Sequence, residues 1–462
     1  MDPDSFRRHG HELIDWLADY FTNIESYPVA TKVAPGDLRR ALPLSAPEQA
    51  ESFDRILADF RELIVPGVSH WGHPGWFAYF PSNSSPPSVL GELLSAGLGV
   101  QGMSWATSPA ATELEQVVME WYRRLLDLPE GFTGVIQDTA STSTLVAFLT
   151  ARDHARADSA KLVAYWSPEA NSSVGKGARL AGFAPDRCRV VPVDDRFAMR
   201  ADALAEMMAV DVEAGLVPSA VVATMGTTGT TACDPLRAIG EICRREGAWF
   251  HVDAAFGGSA AILPEIRPLL DGVELADSMV TNPHKWLLTN FDCSAYFVRD
   301  VAALKRTFST SPDYLKTVHD DDVANFRDWG IPLGRRFRAL KFWFVLRSYG
   351  AEGLRAMIRQ HIALGHELAS WVDAEPHFER LAEAPLALVC LRHVPPALAG
   401  DEAALAAHNA RLMERVNATG RVKLTNTTIG GRYAIRVAIG AFRTERRHVE
   451  ECWRLLREHS ER

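Results

Sequence analysis

Apolar residues near the N-terminus recur at the spacing of one helix face. A period near 3.6 residues predicts an amphipathic helix, and the positions are Phe6, Leu13, Ile14, Leu17, Tyr20 and Phe21. Little sequence around this helix is available to cover its apolar stripe, so a partner subunit is one candidate for the cover. A stretch rich in proline and serine, residues 81–87, then closes an N-terminal helical dimerisation segment that we assign to residues 1–85.

The middle of the chain, residues 86–340, alternates short apolar runs with longer helical patterns. The short runs include residues 162–165, 220–224 and 249–252. This alternation predicts an α/β fold, with a mainly parallel sheet flanked by helices. In such sheets ligands bind beyond the carboxyl ends of the strands, so we expect the functional site in this large domain.

Residues 341–462 predict a smaller α+β domain that ends in a helix. The inward-facing positions of that helix are Val449, Cys452, Trp453 and Leu456. Near the end of the large domain, residues 307–331 are polar and weakly periodic. A long irregular segment inside a compact enzyme is typical of a lid, and we interpret this segment as one.

The composition is that of an ordinary globular protein and narrows the classes of partner. Of 462 residues, 47% are hydrophobic and 23% are charged, and the formal net charge is −9. This balance, without long charged blocks, argues against nucleic acid or a membrane surface as the main partner. The six scattered cysteines favour reduced thiols and no metal site. With no secretory signal and no apolar stretch long enough to span a bilayer, we expect a cytoplasmic protein.

A lysine and an aspartate follow two of the apolar runs. Asp253 ends the run that begins at Trp249, and Lys285 stands behind an Asn-Pro turn after residues 278–280. Pyridoxal 5′-phosphate (PLP) chemistry requires such a pair, because the amine bonds to the cofactor and the carboxylate keeps the pyridine nitrogen protonated. Either residue alone would more often be a solvated surface charge. Together they predict a PLP site.

Other short stretches suit the phosphate and the ring of this cofactor. Thr139, Ala140 and Ser141 precede a helical run, where backbone N–H groups can hold an anion, although an ordinary N-cap explains the same residues. Thr228 follows another apolar run and is equally consistent with a turn. Ala255 is small, as a flat ring against the backbone requires, but alanine also suits helix packing.

Three other kinds of site are not supported by the sequence. Residues 97–102 match the G-x-G-x-x-G pattern of dinucleotide sites but follow a helical run rather than a strand. His70 and His73 lack further ligands at suitable spacing, so we predict no metal site. The G-x-S-x-G motif of α/β-hydrolases is absent from the sequence.

Three longer motifs carry a resemblance to one enzyme family. They are NPHKW at residues 282–286, HVDAA at 251–255 and IPLGRRFR at 331–338. With them the chain resembles the aromatic-L-amino-acid decarboxylases, which are group II PLP-dependent decarboxylases of the aspartate-aminotransferase fold (fold type I). The resemblance implies a PLP-dependent carboxy-lyase that converts an aromatic L-amino acid to an arylalkylamine and carbon dioxide. It also implies a homodimer with active sites at the interface.

The resemblance assigns roles to individual residues. Lys285 would carry the cofactor, Asp253 would pair with its ring nitrogen, and Tyr314 would supply or relay a proton to the substrate Cα. The remaining cofactor contacts would come from Ala140, Ser141, Asn171, Thr228, Ala255, Asn282 and His284. Leu333 and Gly334 of the partner subunit would also contact the cofactor and close the site. The substrate pocket would include Trp71, Tyr79, Phe80, Ser82 and Met103.

Asn171 departs from the family pattern, which has a histidine over the cofactor ring. An amide cannot become cationic or shuttle a proton as imidazole does, although it can stack and hydrogen-bond. In insect relatives an asparagine here accompanies aromatic acetaldehyde synthases, which couple decarboxylation to oxidative deamination. Tyr314 favours the decarboxylase, since plant synthases carry phenylalanine in its place. A catalytically silent homologue is a further alternative, against which intact Lys285 and Asp253 count.

Overall fold

The apolar runs that predict strands lie at the centre of the molecule in a computed structural model, which describes residues 1–310 and 322–461. The helices are α1 (Pro3–Thr22), α2 (Asp37–Ala41), α3 (Phe53–Asp59), α4 (Pro86–Leu98), α5 (Pro109–Leu125), α6 (Ala140–Ala155), α7 (Ser172–Leu180), α8 (Ala201–Glu213), α9 (Leu236–Glu246), α10 (Pro283–Trp286), α11 (Val301–Phe308), α12 (Arg338–Ala374), α13 (Glu402–Ala418) and α14 (Arg446–Ser460). The strands are β1 (Thr133–Gln137), β2 (Leu162–Trp166), β3 (Cys188–Val190), β4 (Val217–Thr224), β5 (Trp249–Asp253), β6 (Ser278–Thr281), β7 (Ser294–Val298), β8 (Phe378–Arg380), β9 (Leu388–His393), β10 (Thr425–Ile429) and β11 (Arg432–Ala438).

The large sheet has the strand order β1-β7-β6-β5-β4-β2-β3 in the described residues. The five strands from β6 to β3 pair in parallel, whereas β7 lies antiparallel between β1 and β6. In β4, Val221 and Ala223 belong to the core on the α8 and α9 side, while Ala220 and Val222 belong to the core on the α6 and α7 side. Because successive side chains point to opposite faces, a strand buried on both faces is an uninterrupted apolar run. The predicted α/β fold is therefore confirmed.

A second sheet is antiparallel and has the order β10-β11-β9-β8 in the same residues. The four positions of α14 predicted to face inward are buried. α12 reaches this sheet from the large domain, and its helical geometry breaks at Gly350, where φ is 63°. Glycine adopts this left-handed conformation without the steric cost of a Cβ atom. A small C-terminal α+β unit is thus present, while the boundaries at residues 85 and 340 stay predictions.

The predicted N-terminal helix is α1. The Asp2 carboxylate accepts hydrogen bonds from the N–H groups of Asp4 and Ser5, which gives the helix a well-formed N-cap. Of the α1 side chains only His9 is buried, whereas Phe6 is 68% exposed and Ile14 is 38% exposed. Leu13, Leu17, Tyr20 and Phe21 are half-buried, so the chain covers the apolar stripe only in part.

The structure gives the state of the cysteines and the lengths of the apolar helices. All six cysteines are free thiols, and those outside positions 188 and 233 are buried. Among the helices of residues 1–310 and 322–461, none is both long and apolar enough to cross a bilayer.

Candidate active site

Asp253 and Lys285 meet at the carboxyl ends of β5 and β6. The two strands pair in parallel with Asp253 opposite Val280, so the residues that follow them emerge side by side. β6 leads through Asn282 into the four-residue helix α10, which carries Lys285. The Lys285 ammonium lies 5.4 Å from the centre of the Phe80 ring. The structure thus brings together the two residues on which the PLP prediction rests.

Burial sets the protonation of this pair. It lowers the pKa of Lys285 below its ordinary value, an effect that Asp253 opposes and Arg436 reinforces. Burial also raises the pKa of Asp253, against the Lys285 ammonium and the Ala255 N–H group. A lysine with a lowered pKa has more of the neutral amine that acts as a nucleophile.

The surroundings of Asp253 fit a cationic ring nitrogen. The side chain is only 4% exposed, and its Oδ1 accepts a hydrogen bond of 3.0 Å from the Ala255 N–H group. No lysine, arginine or histidine of the described residues lies within ion-pair distance of it. A buried carboxylate without a cation is unfavourable, so a protonated pyridine nitrogen is the kind of partner this position lacks. Ala255, which is small and 7% exposed, leaves room for a flat ring.

The start of α6 and His284 are the candidate phosphate-binding groups. Thr139 caps α6, and its Oγ1 accepts from the Thr142 N–H group, so the N-cap interpretation is correct, and a helix N-terminus also suits an anion. Asn282 is linked to α6 through Ser294, whose hydroxyl donates to Asn282 Oδ1 over 2.7 Å and lies 3.5 Å from the Ser143 hydroxyl.

His284 is a neutral hydrogen-bond donor. Its Nδ1 accepts a 2.9 Å hydrogen bond from the Cys293 N–H group, which places the ring proton on Nε2. Burial, reinforced by the Lys285 charge, lowers the pKa of His284 to about 3. The ring therefore stays neutral at physiological pH, with Nε2–H able to donate to an anion.

Asn171 is fixed at both ends of its amide. It caps α7, with Oδ1 accepting from the Ser173 N–H group at 3.0 Å, and its Nδ2 donates to Thr228 Oγ1 at 3.0 Å. Because the Thr228 oxygen accepts this bond, its own hydroxyl proton is left to donate elsewhere. The residue that replaces the usual histidine therefore orients Thr228 rather than moving freely over the crevice.

Arg436 on β11 is a site residue that the sequence analysis missed. It is 4% exposed, lies 5.3 Å from the centre of the Phe80 ring, and donates to the backbone oxygen of Thr228 at 2.8 Å. Its hydrogen bonds to the Tyr79 and Gly229 oxygens are longer, at 3.4 Å. The sequence feature that could have identified it is an arginine inside the apolar run of β11, between Ile435 and Val437.

The predicted substrate-pocket residues divide into two groups. Phe80 stacks on Phe256 at 3.9 Å beside Lys285, whereas Trp71 and Tyr79 stack on each other at 5.5 Å and are 38% and 53% exposed. Ser82 follows Phe80 on the same segment and is half-buried.

Met103, Leu333 and Gly334 lie elsewhere in the chain. Met103 O accepts from the Arg327 N–H group, and the Gly102 N–H group donates to Arg335 O. In the described ranges, no hydrogen bond, ion pair or ring contact joins these three residues to Asp253 or Lys285. Tyr314 and much of the predicted lid lie outside the described residues.

Comparisons with known proteins point to one enzyme family. The model of the pyridoxal-dependent decarboxylase conserved domain matches residues 35–394. Phenylacetaldehyde synthase of Arabidopsis thaliana is 46% identical over 99% of this chain and 96% of its own length, and aromatic-L-amino-acid decarboxylase of Mus musculus is 44% identical over 98% and 97%. The crystal structure of Oryza sativa TDC with PLP and tryptamine superposes with a TM-score of 0.97 at 37% identity, covering 100% of this chain and 98% of that one.

Proposed function

The chain belongs to the family of pyridoxal-dependent decarboxylases, and we propose that it decarboxylates aromatic L-amino acids to arylalkylamines. It is a carboxy-lyase with PLP as its cofactor. The observation that carries the proposal is the buried Asp253 carboxylate beside the Lys285 amine, at the carboxyl ends of β5 and β6. Relatives named as aromatic-amino-acid decarboxylases support the substrate class.

The residues of this crevice have separate tasks in the proposed reaction. Lys285 attaches the cofactor through its amine, and Asp253 holds the proton on the ring nitrogen. His284, Asn282 and the α6 N-terminus, with Ala140 and Ser141, hold the phosphate. When bound, PLP supplies an electron sink for the electron pair that is released with carbon dioxide.

The substrate side of the crevice needs groups that orient the amino acid and deliver a proton. Thr228 keeps its hydroxyl proton free to donate to the substrate, because its oxygen accepts from Asn171. Arg436 contributes a buried positive charge near Lys285, which favours an anionic carboxylate nearby. Phe80 offers an apolar face for an aromatic side chain, and Tyr314 is the proposed proton donor to Cα.

We place the second copy of this chain on the uncovered apolar surface, as a homodimer. On α4, Leu90, Leu93, Leu94 and Leu98 are 44% to 64% exposed and share one helix face. Gln101, three residues past the end of α4, accepts a hydrogen bond from the Arg335 N–H group, so the end of this helix adjoins the loop that carries Leu333 and Gly334. Exposed apolar patches of this kind mark association surfaces. In the proposed dimer, the loop closes the other subunit's pocket. Free cysteines support the proposed cytoplasmic location.

A second candidate function, an aromatic acetaldehyde synthase, is favoured by Asn171 and by the similarity to a phenylacetaldehyde synthase. The two reactions differ in stoichiometry. The decarboxylase releases one amine per carbon dioxide. The synthase consumes one oxygen and one water per carbon dioxide and releases aldehyde, ammonia and hydrogen peroxide in place of the amine.

A product analysis with tryptophan, tyrosine, phenylalanine and dihydroxyphenylalanine tests the proposal. Carbon dioxide, amine, aldehyde, peroxide and oxygen uptake are measured in the same reactions. We expect amine as the main product, with a small and measurable amount of aldehyde and peroxide. If one oxygen is consumed per carbon dioxide released, the decarboxylase assignment is wrong and the protein is a synthase.

A further inference from the structure

The carbonyl groups around Lys285 need partners from outside their own helix. α10 has only four residues, and the last carbonyls of any helix have no partner within it. Here two side chains from one N-terminal segment fill the gap. Asn83 Nδ2 donates to the Lys285 carbonyl at 2.8 Å, and the Ser85 hydroxyl donates to the Leu288 carbonyl at 2.7 Å.

Asn83 also binds the small C-terminal unit. Its Nδ2 donates to the Gly440 carbonyl at 2.9 Å, and its Oδ1 accepts from the Phe442 N–H group at 2.9 Å. The side chain is 1% exposed, and its two donors and its acceptor all have protein partners. Such a set of bonds suits an amide side chain, which offers donors and an acceptor at one end.

The segment before Asn83 is tied to the same C-terminal unit along its length. Phe77 donates its N–H group to Lys423 O and accepts from the Ala438 N–H group, both at 3.0 Å. The loop after β11 approaches closely because Gly440 has no Cβ, which would meet Pro81 Cγ at 2.6 Å. The segment also carries Phe80, so the same contacts join the ring beside Lys285 to the C-terminal unit.

We infer that Asn83 is a positioning residue, which fixes the backbone of Lys285 to the small C-terminal unit and thereby sets where the lysine amine lies over Phe80. The inference deepens the proposed function and rests on Lys285 as the residue that attaches the cofactor. A misplacement of about 1 Å at a reacting group can cost on the order of 10²-fold in rate. Loss of both donor bonds therefore affects the chemistry more than the binding of substrate.

The test compares Asn83→Leu with wild type and with Ser84→Ala. Leucine keeps a similar size and removes all three bonds, and Ser84 is the exposed neighbour. In cofactor-free protein, hydrogen–deuterium exchange is measured for peptides that contain Phe442. In a second assay PLP is added, and the bond to Lys285 is trapped with borohydride over time and quantified by mass spectrometry.

We expect Asn83→Leu to speed exchange at Phe442 and to slow attachment at Lys285 by about ten-fold or more, while Ser84→Ala matches wild type. In turnover assays kcat falls and KM stays within a few-fold. If a folded Asn83→Leu protein attaches PLP at the wild-type rate, the positioning role is wrong and Asn83 is a structural tie only. Should the leucine variant fail to fold, Asn83→Ser, which is too short to reach both carbonyls, decides by the same assays.

The attachment assay needs no substrate, so its outcome is independent of the proposed reaction. Wild-type protein that attaches PLP at Lys285 but releases no carbon dioxide from any aromatic amino acid would refute the proposed function. The comparison of Asn83→Leu with wild type would still decide the positioning role.

Discussion

The crevice at the ends of β5 and β6 and the apolar face of α4 are built in opposite ways. In the crevice, Asp253 and His284 are buried and take their hydrogen bonds from the same chain. On α4, Leu94 and Leu98 are 49% and 64% exposed. In the proposed function, one chain therefore supplies Lys285, Asp253 and His284 for the cofactor but leaves the α4 face beside the loop with Gly334 exposed. Attachment of the cofactor and completion of the substrate pocket are thus separable, and variants in each region should fail differently.

The largest effect is expected for Lys285→Ala, which removes the attachment point in the crevice. Turnover should fall by on the order of 10³-fold or more, as when other covalent catalysts lose their nucleophile. Borohydride reduction, followed by tryptic digestion and mass spectrometry, should find pyridoxyl on Lys285 in wild type and on no lysine of the variant. Pyridoxyl on a different lysine of wild type would overturn the assignment.

Asp253→Ala should reduce kcat by about 10²- to 10³-fold, the scale seen when a preorganised electrostatic partner is removed. The ring nitrogen then lacks the group that keeps it protonated, although Lys285 remains able to attach PLP. The kinetics are measured at saturating cofactor, and borohydride trapping serves as the control for attachment. Activity within a few-fold of wild type would refute the role of Asp253.

Leu94→Glu tests the other region. A charge in the middle of the proposed interface should shift the protein from dimer to monomer in light scattering, and activity should fall by about ten-fold or more because the pocket stays open. Attachment of PLP at Lys285 should survive. The matched control is Leu180→Glu, since Leu180 is 63% exposed on α7. A monomeric wild type would contradict the proposed dimer. A monomeric Leu94→Glu variant with full activity would show that the dimer does not complete the substrate pocket.

Asn171→His changes the residue proposed to lie over the cofactor ring and leaves Lys285 and Asp253 unchanged. An imidazole can carry a proton, whereas the amide is fixed by Ser173 and Thr228. The variant should therefore lower the share of aldehyde and peroxide several-fold, and Tyr314→Phe should raise it. Products are quantified with and without oxygen, and the anaerobic reaction is the control. An unchanged ratio of aldehyde to amine in Asn171→His would show that this position does not select the product.

The smallest effect concerns His361 on α12, which accepts a hydrogen bond from Trp286 Nε1 at 3.0 Å. Burial lowers the pKa of His361 from 6.5 to about 4. Between these values the unfolded chain binds a proton that the folded chain excludes, so stability falls as the pH drops from 6.5 towards 4. In His361→Gln the loss in unfolding free energy between pH 7 and pH 5 should shrink by about 2 kcal/mol. Urea titrations at both pH values measure it, and an identical pH dependence would contradict the burial argument.

The large sheet could be predicted because its strands are buried on both faces. Residues 220–224 and 249–252 are therefore continuous apolar runs, and a run of that kind is visible without knowledge of its neighbours. Asp253 and Lys285 were predictable for the same reason, since each follows such a run. Local patterns sufficed where the chemistry lies at the end of a strand.

Arg436 and Asn83 could not be assigned from sequence, because their partners are distant in the chain. Arg436 reaches Thr228 and Asn83 reaches Lys285, in both cases through backbone oxygens. Every residue has a backbone oxygen, so residue types do not show which oxygen accepts a hydrogen bond. These contacts can be identified only in the folded structure. The fixed orientation of Asn171 has the same origin, as it depends on Thr228 from another loop.

The ring of Trp286 stacks on Phe256 at 4.3 Å and donates from Nε1 to His361 at 3.0 Å, and it is fully buried. A fixed indole therefore lies one residue away from Lys285, the proposed attachment point of the cofactor. Light absorbed by this indole can pass to a chromophore bound next to it, so the emission of Trp286 should dim as the crevice fills. Quenching of Trp286 fluorescence should therefore report how much of the protein has bound cofactor, whether the product is an amine or an aldehyde.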